Sequence, residues 1–342
     1  MSSPFQRRVQ LTGGATLIVS LPKEWVRKIK LKAGDIVTII PQPDNSLKIV
    51  PGRKKTQLPT RTVVQVDESV DPRIAVRELI ARYLVGYETI EVQFSGDTHV
   101  HKRMMRDIVS RKMIGVEVVE ETVNSIVFQC LAGPRELPAV SALRRMMTVT
   151  ANMLIDIVNC LDNYSKSVLE EIALREDTVD KLYFYIVRQL KSVAMGLVLP
   201  HEVGLDNIRD ALGYRLIVKS VERIADHINR IASTLIENGP LSQAGILNLL
   251  KELGSESIEI FDMTITAMFK QDKSKGHEVV HRSETLKSKV NRIIQRLLES
   301  DLSTQDVIAM RLIIESLERV SDYSADIAEI VINLMTEPPS EY

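Results

Sequence analysis

Aromatic residues make up only 4% of this 342-residue chain, so its core must be largely aliphatic. Two cysteines, Cys130 and Cys160, are too few for a disulfide framework and match no zinc-motif spacing. That usage fits a reducing, cytoplasmic setting. No apolar run approaches the roughly 20 residues needed to cross a bilayer, so no membrane insertion is expected. A short apolar stretch at 15–21, broken by Ser20, follows Arg7 and Arg8 and makes a poor signal peptide. Wholesale disorder is excluded as well: 44% hydrophobic and 26% charged is an ordinary globular mixture. The length suggests roughly two or three domains.

The formal net charge of −1 conceals an asymmetry. Residues 1–61 carry 12 Lys and Arg against three acids, Glu24, Asp35 and Asp44, for a net +9. Residues 62–136 carry −3 and residues 137–342 carry −7. A segment this basic at the head of a near-neutral chain points to a polyanionic partner, with a solubilising surface as the alternative.

Three textures follow one another. Residues 5–50 hold short β runs with turn signals at Gly13-Gly14, Gly34-Asp35 and Asp44-Asn45, and one or two helical turns opened by Pro22. About 45 residues with so little core rarely fold alone, so a partner chain is expected to complete the sheet. Residues 51–59, with Arg53-Lys54-Lys55, read as a linker. Residues 61–131 alternate as βαβαββ: strands at 62–66, 89–94, 116–121 and 125–130, and helices at 71–84 and 97–112. That order implies an α/β sandwich, and no phosphate loop or catalytic cluster marks its task. Residues 137–337 show apolar positions at i, i+3, i+4 and i+7 in six long helices: 142–161, 169–199, 208–236, 246–269, 279–298 and 307–335. Asn238-Gly239-Pro240 separates the third from the fourth, and Ser303 is placed to cap the sixth.

The six helices contain a duplication. Shifted by 96 residues, 215–232 and 311–328 agree at nine of 18 positions, including Glu222/Glu318, Arg223/Arg319 and Asp226/Asp322. A shift of 107 lays Asp177 on Glu284 and Asp180 on Lys287. The fold class is therefore multidomain α and β: a small β module (1–55), an α/β domain (60–133) and tandem three-helix bundles (137–338, divided as 137–238 and 241–337). Glu222 and Asp226, like Glu318 and Asp322, share one helical face at i,i+4, a like-charge arrangement that costs about 0.2–0.5 kcal/mol unless neutralised. Two readings stand. A hard cation, held by these carboxylates with Asp177 and Asp180 of the preceding helix, is one. A salt-bridge network through Arg215 and Arg311, two turns earlier on the same face, is the other.

The stretch Ser220-Val-Glu-Arg-Ile-Ala-Asp-His, with Ser316-Leu-Glu-Arg-Val-Ser-Asp-Tyr in the same place, resembles the PhoU repeat over about 137–337. That family has two three-helix bundles, each marked by an E/D-x-x-x-D motif. The resemblance implies a regulator of phosphate uptake, associated with the phosphate ABC transporter and its signalling. It also implies iron, zinc or similar metal ions at Asp177, Asp180, Glu222 and Asp226 in the first copy and at Glu284, Glu318 and Asp322 in the second. Lys287, where the first copy has Asp180, departs from the pattern.

The N-terminal module resembles the AbrB/MazE/SpoVT swapped-hairpin domain over about 5–51. The resemblance rests on Leu21-Pro-Lys-Glu-Trp-Val, Leu31-Lys-Ala-Gly-Asp-Ile-Val-Thr-Ile and Ser46-Leu-Lys-Ile-Val-Pro. Two such modules interlock as a small barrel in that family and present basic residues to double-stranded DNA. Carried over, this implies a homodimer or larger homo-oligomer gripping DNA through Arg7, Arg8, Lys23, Arg27, Lys28 and Lys30. In the alternative the module only dimerises a transporter accessory protein.

One motif misleads. His277-Glu278-Val279-Val280-His281 fits H-E-x-x-H, yet Glu299, the nearest spaced third ligand, lies about 27 Å further along the same helix. Surface histidines are the better reading, and no Ser/His/Asp or Cys/His set suggests an enzyme.

Overall fold

The computed structural model describes residues 5–41, 46–51, 60–133, 136–241 and 244–337. It divides into two units, the first ending at Leu58 and the second running from Pro59 to Pro338.

In the first unit β1 (Gln10–Thr12) and β2 (Thr16–Ile18) pair antiparallel around Gly13 and Gly14. Both glycines have the positive φ that a tight hairpin turn needs, +60° and +82°. Pro22 precedes the short helix α1 (Lys23–Lys28). The strands β3 (Val37–Pro41) and β4 (Leu47–Pro51) form a second antiparallel pair with Ile39 opposite Ile49. The Asp44-Asn45 turn and most of the expected linker lie outside the described residues. The two hairpins are separate two-stranded sheets, and no described residue of this unit is buried.

The second unit opens with the expected α/β sandwich. Its strands are β5 (Arg61–Asp67), β6 (Thr89–Ser95), β7 (Val116–Glu121) and β8 (Ser125–Cys130), in the order β5-β6-β8-β7. Only β5 and β6 are parallel, joined by α2 (Pro72–Val85). Asp71 caps α2 by accepting from the Arg73 amide at 2.7 Å. The helix α3 (His99–Lys112) follows β6 and lies beside α2. Alternation in β5 and β6 sends Val64, Val66, Val92 and Phe94 into a core with Leu79, Tyr83, Met105, Ile126 and Phe128. The opposite face carries polar pairs such as Gln65 with Gln93.

Six helices follow: α4 (Ala139–Asp162), α5 (Lys166–Ala194), α6 (Asp210–Asn238), α7 (Ala244–Lys270), α8 (Lys273–Leu298) and α9 (Thr304–Leu334). The second stops five residues short of the expected 199, because Gly196 turns the chain at φ +71° before a single 3-10 turn at Pro200–Val203. Ser303 caps α9 through the Asp306 amide, as expected. Each repeat closes as three mutually packed helices. The repeats are not independent bundles, however, because one apolar core runs through both. Equivalent helices meet: α6 packs along α9 and α4 along α7. Gly254 permits the second approach, since a Cβ there would lie 2.7 Å from a γ-methyl of Val158. Buried hydroxyls on the α7–α9 side are satisfied by carbonyls: Ser257 donates to Leu253 and Leu317, and Thr264 to Ile260.

Candidate functional site

The motif carboxylates gather in two places, one per repeat. In the first, Asp177 and Asp180 on α5 come together with Glu222 and Asp226 on α6. Glu176 joins them from the same turn of α5. Helix periodicity explains the sets: Asp177 and Asp180 are one turn apart, as are Glu222 and Asp226. Burial pushes Asp226 up to about 6, with Glu222 and Asp180 adding to it. Burial likewise pushes Glu176 up to about 7, helped by Asp180 and opposed by Lys112.

The cations that meet these acids are not the arginines expected from the sequence. Arg215 turns to the Tyr183 hydroxyl at 3.0 Å and lies over its ring. Glu222 is held by Lys219 at 2.6 Å. A second cation comes from the α/β domain: Lys112, the last residue of α3, hydrogen-bonds Asp180 and stands 3.6 Å from Asp177. Burial works against its charge. Even so, the Asp180 hydrogen bond and the charges of Asp180, Glu176 and Asp177 hold its pKa above the ordinary lysine value.

In the second repeat the site is an open cleft of about 280 Å³ lined by Glu284, Lys287, Arg319, Asp322 and Asp326 among others. Lys287 reaches Asp322 at 3.0 Å and Arg319 reaches it at 3.3 Å. Burial raises Glu318, with Asp322 adding and Arg311 opposing, but no ion pair joins Arg311 to Glu318 among the described residues and one Arg311 guanidinium nitrogen is buried without a hydrogen-bond partner. Burial also raises Asp326, again with Asp322 adding. Asp326 escaped the sequence reading because its counterpart in the first copy is Arg230.

Among the described residues no three His, Cys, Asp or Glu side chains converge as a metal's ligand set. Hard oxygen donors are present in both repeats, and the two repeats differ in what stands among them. Lys287 is a half-exposed side chain on its own helix and is paired with Asp322. Lys112 is 23% exposed and belongs to a folded neighbouring domain. The first set therefore does not fit a metal with the α/β domain in place, and in the second Asp322 is held by Lys287 and Arg319 while Glu318 is not among the residues lining the cleft.

The six basic residues singled out in the N-terminal unit, Arg7, Arg8, Lys23, Arg27, Lys28 and Lys30, are all exposed. Lys30 adopts a left-handed φ of +56° just after α1, where glycine is the usual choice. His277 and His281 are exposed on one uninterrupted helix, and Glu278 of that motif pairs with Arg282 at 3.5 Å, as a solvated helix face would have it.

Comparison with known proteins follows the same division. The PhoU domain matches residues 143–235 and 250–331, one match per repeat and together half of the chain. The family described as antidote-toxin recognition MazE, bacterial antitoxin, matches residues 10–57. The chain is 22% identical over 211 residues to the phosphate-specific transport system accessory protein PhoU homolog 1 of Thermotoga maritima, covering 59% of this chain and 88% of that protein. It is 26% identical over 185 residues to the PhoU homolog of the same description from Borreliella burgdorferi, covering 52% and 82%. The crystal structure of PhoU from Pseudomonas aeruginosa superposes with a TM-score of 0.52 at 20% identity, over 57% of this chain and 94% of that one. The phosphate transport system regulatory protein PhoU from Streptococcus pneumoniae gives 0.51 at 18% identity, over 60% and 96%. The doubled three-helix repeat, its paired carboxylates and these matches agree: the chain belongs to the PhoU family and carries a MazE-like module at its N-terminus.

Proposed function

We propose that this chain is a non-enzymatic regulator of phosphate transport that grips double-stranded DNA through paired N-terminal modules. The observation that carries the reading is the state of the first unit. Phe5, Val9, Leu11, Leu17, Ile36, Ile39 and Leu47 are all at least 45% exposed, and the six cations are exposed as well. A unit none of whose described residues is buried needs a second copy to cover those side chains, and interlocking two copies as a small barrel would double the basic surface. Lysine and arginine would then bind phosphates, giving affinity without fixing a base sequence.

The PhoU repeats are the sensing part of this proposal. Iron, zinc or a similar ion at Glu284, Glu318 and Asp322, joined by Asp326, is the form we expect sensing to take in the second repeat. The corresponding set of the first repeat, Asp177, Asp180, Glu222 and Asp226, would have to expel Lys112 before taking an ion. Transporter components or a signalling protein are the proposed partners, and the cytoplasm the proposed place.

The names of the curated relatives, accessory proteins of a phosphate-specific transport system, favour a second reading in which the β module only dimerises the chain. An electrophoretic shift assay with duplexes from upstream of phosphate-transport genes separates the two. Retarded duplex that is lost on replacing Arg7 and Arg8 by Ala supports the first reading, and no retardation by a dimeric chain supports the second.

A further inference from the structure

One face of α5 is built to receive the α/β domain. Asp177, Asp180, Phe184 and Arg188 recur at intervals of three, four and four residues, which aligns them along a single stripe of the helix. At one end of the stripe Lys112 pairs with Asp180 and Asp177, while Arg111 stands 3.8 Å from Asp177. In the middle, Phe184 packs against the apolar core of the α/β domain. At the other end the Arg188 guanidinium donates to the backbone carbonyls of Tyr83, Gly86 and Tyr87, closing the C-terminal end of α2, and lies over the Tyr83 ring. Both cationic contacts sit at helix C-termini, where the macrodipole favours positive charge.

The second repeat has no such stripe. The shift of 107 puts Glu284, Lys287, Asn291 and Gln295 at the corresponding positions, with neither an aromatic residue nor an arginine. All four are exposed. The duplicated helix has therefore diverged in the residues that touch the α/β domain, and the acidic position at 180 is matched by a cation from outside the repeat. In the second copy the cation at 287 is built into the repeat itself.

The geometry points to a changed use of the first repeat's carboxylates: they are a socket for the α/β domain, and Lys112 is their resident cation. An ammonium group already paired with Asp180 and close to Asp177 offsets part of the negative charge that would otherwise attract a metal ion. Its domain is held against α5 by Phe184 and Arg188, so the ammonium is kept beside the two aspartates while the domain is docked. The two repeats thus divide their tasks, the first holding a domain and the second keeping an open cleft. This inference does not depend on whether the second cleft takes a metal.

Hydrogen exchange on the full-length chain tests the socket. In Lys112→Met the amides at 109–113 should exchange about tenfold faster, since an opening that breaks this pair no longer opposes a charge interaction. Asp177→Asn with Asp180→Asn should accelerate the same amides, the combined variant should be no faster than either, and Lys112→Arg should stay slow. Calorimetric titration with Mn²⁺ supplies a second measurement. The Asp177→Asn, Asp180→Asn chain should bind the same number of equivalents as the wild type. Unchanged exchange in both the lysine and the aspartate variants overturns the inference, as does the loss of one Mn²⁺ equivalent on removing the two aspartates.

Discussion

Replacing Arg188 by alanine is the sharpest single perturbation of the interdomain contact. The wild-type guanidinium donates to Tyr87 at 3.0 Å and to Gly86 at 3.2 Å, bonds Tyr83 as well, and has its Cζ 4.9 Å from the centre of the Tyr83 ring. Charged hydrogen bonds contribute about 1.5–3 kcal/mol each, a cation at a helix C-terminus about 0.3–1, and a partly desolvated cation–π contact about 1. These terms do not add, because all three carbonyls share one guanidinium, through two of its nitrogens, and Gly86 and Tyr87 are only half-buried, within reach of water. The net loss should be about 2–4 kcal/mol, read as a fall in unfolding free energy by urea titration with faster exchange at the C-terminal turn of α2. Arg188→Lys should recover less than half, since one ammonium cannot fork to several acceptors. A change under about 0.5 kcal/mol in Arg188→Ala would refute the view that this side chain ties the two layers together.

Three further outcomes follow from the structure. Glu176 and Asp226 are raised to about 7 and about 6, so their ionisation opposes the folded state. Their contribution is most favourable below the unfolded carboxylate range and is lost as pH rises through 6 and 7. Urea stability of the second unit should therefore fall from pH 5 to pH 8, and Glu176→Gln should flatten that slope; a rise over this window contradicts the assignment. Gly254→Ala gains about 1 kcal/mol of helix propensity but drives a methyl to 2.7 Å from Val158 where α4 meets α7. Overpacking of about 1–3 kcal/mol should win, and thermal unfolding should show a net loss. Lys30→Gly relieves a left-handed backbone at φ +56° and should leave the N-terminal unit at least as stable by urea titration, while weakening any duplex binding because a cation is gone.

Much of this was legible in the sequence for definite reasons. The four strands of the α/β domain lie within a residue of where the sequence places them; β5 and β6 bury every second residue, whereas β8 buries three in a row, Ile126 to Phe128, and β7 only Val116. The Glu222/Asp226 and Glu318/Asp322 register announced the duplication, because identical spacing in two copies is read without any structure. Other features depend on the third dimension. Lys112 lies 68 residues from Asp180 and in a different layer, so no local pattern connects them. Glu176 carries no repeat signal, because its counterpart in the second copy is Ser283, a buried hydroxyl bonded to Ser321. Arg215 had a carboxylate within two turns and took Tyr183 instead, a choice that tertiary packing makes. The pairing of α6 with α9 also leaves no periodic trace, since both helices already need an apolar stripe for their own bundle.

Salt-dependent binding of the full-length chain to a duplex, followed by fluorescence anisotropy, tests the DNA proposal most directly. Six exposed cations per protomer on paired modules should give a steep fall of log affinity with log salt, on any duplex sequence. Replacing Arg7 and Arg8 by Ala should flatten that slope by roughly 1 per lost contact per protomer, and so by about 4 for a dimer. A dimeric chain with no measurable affinity even at low salt, or a slope that the two substitutions leave unchanged, would contradict the account.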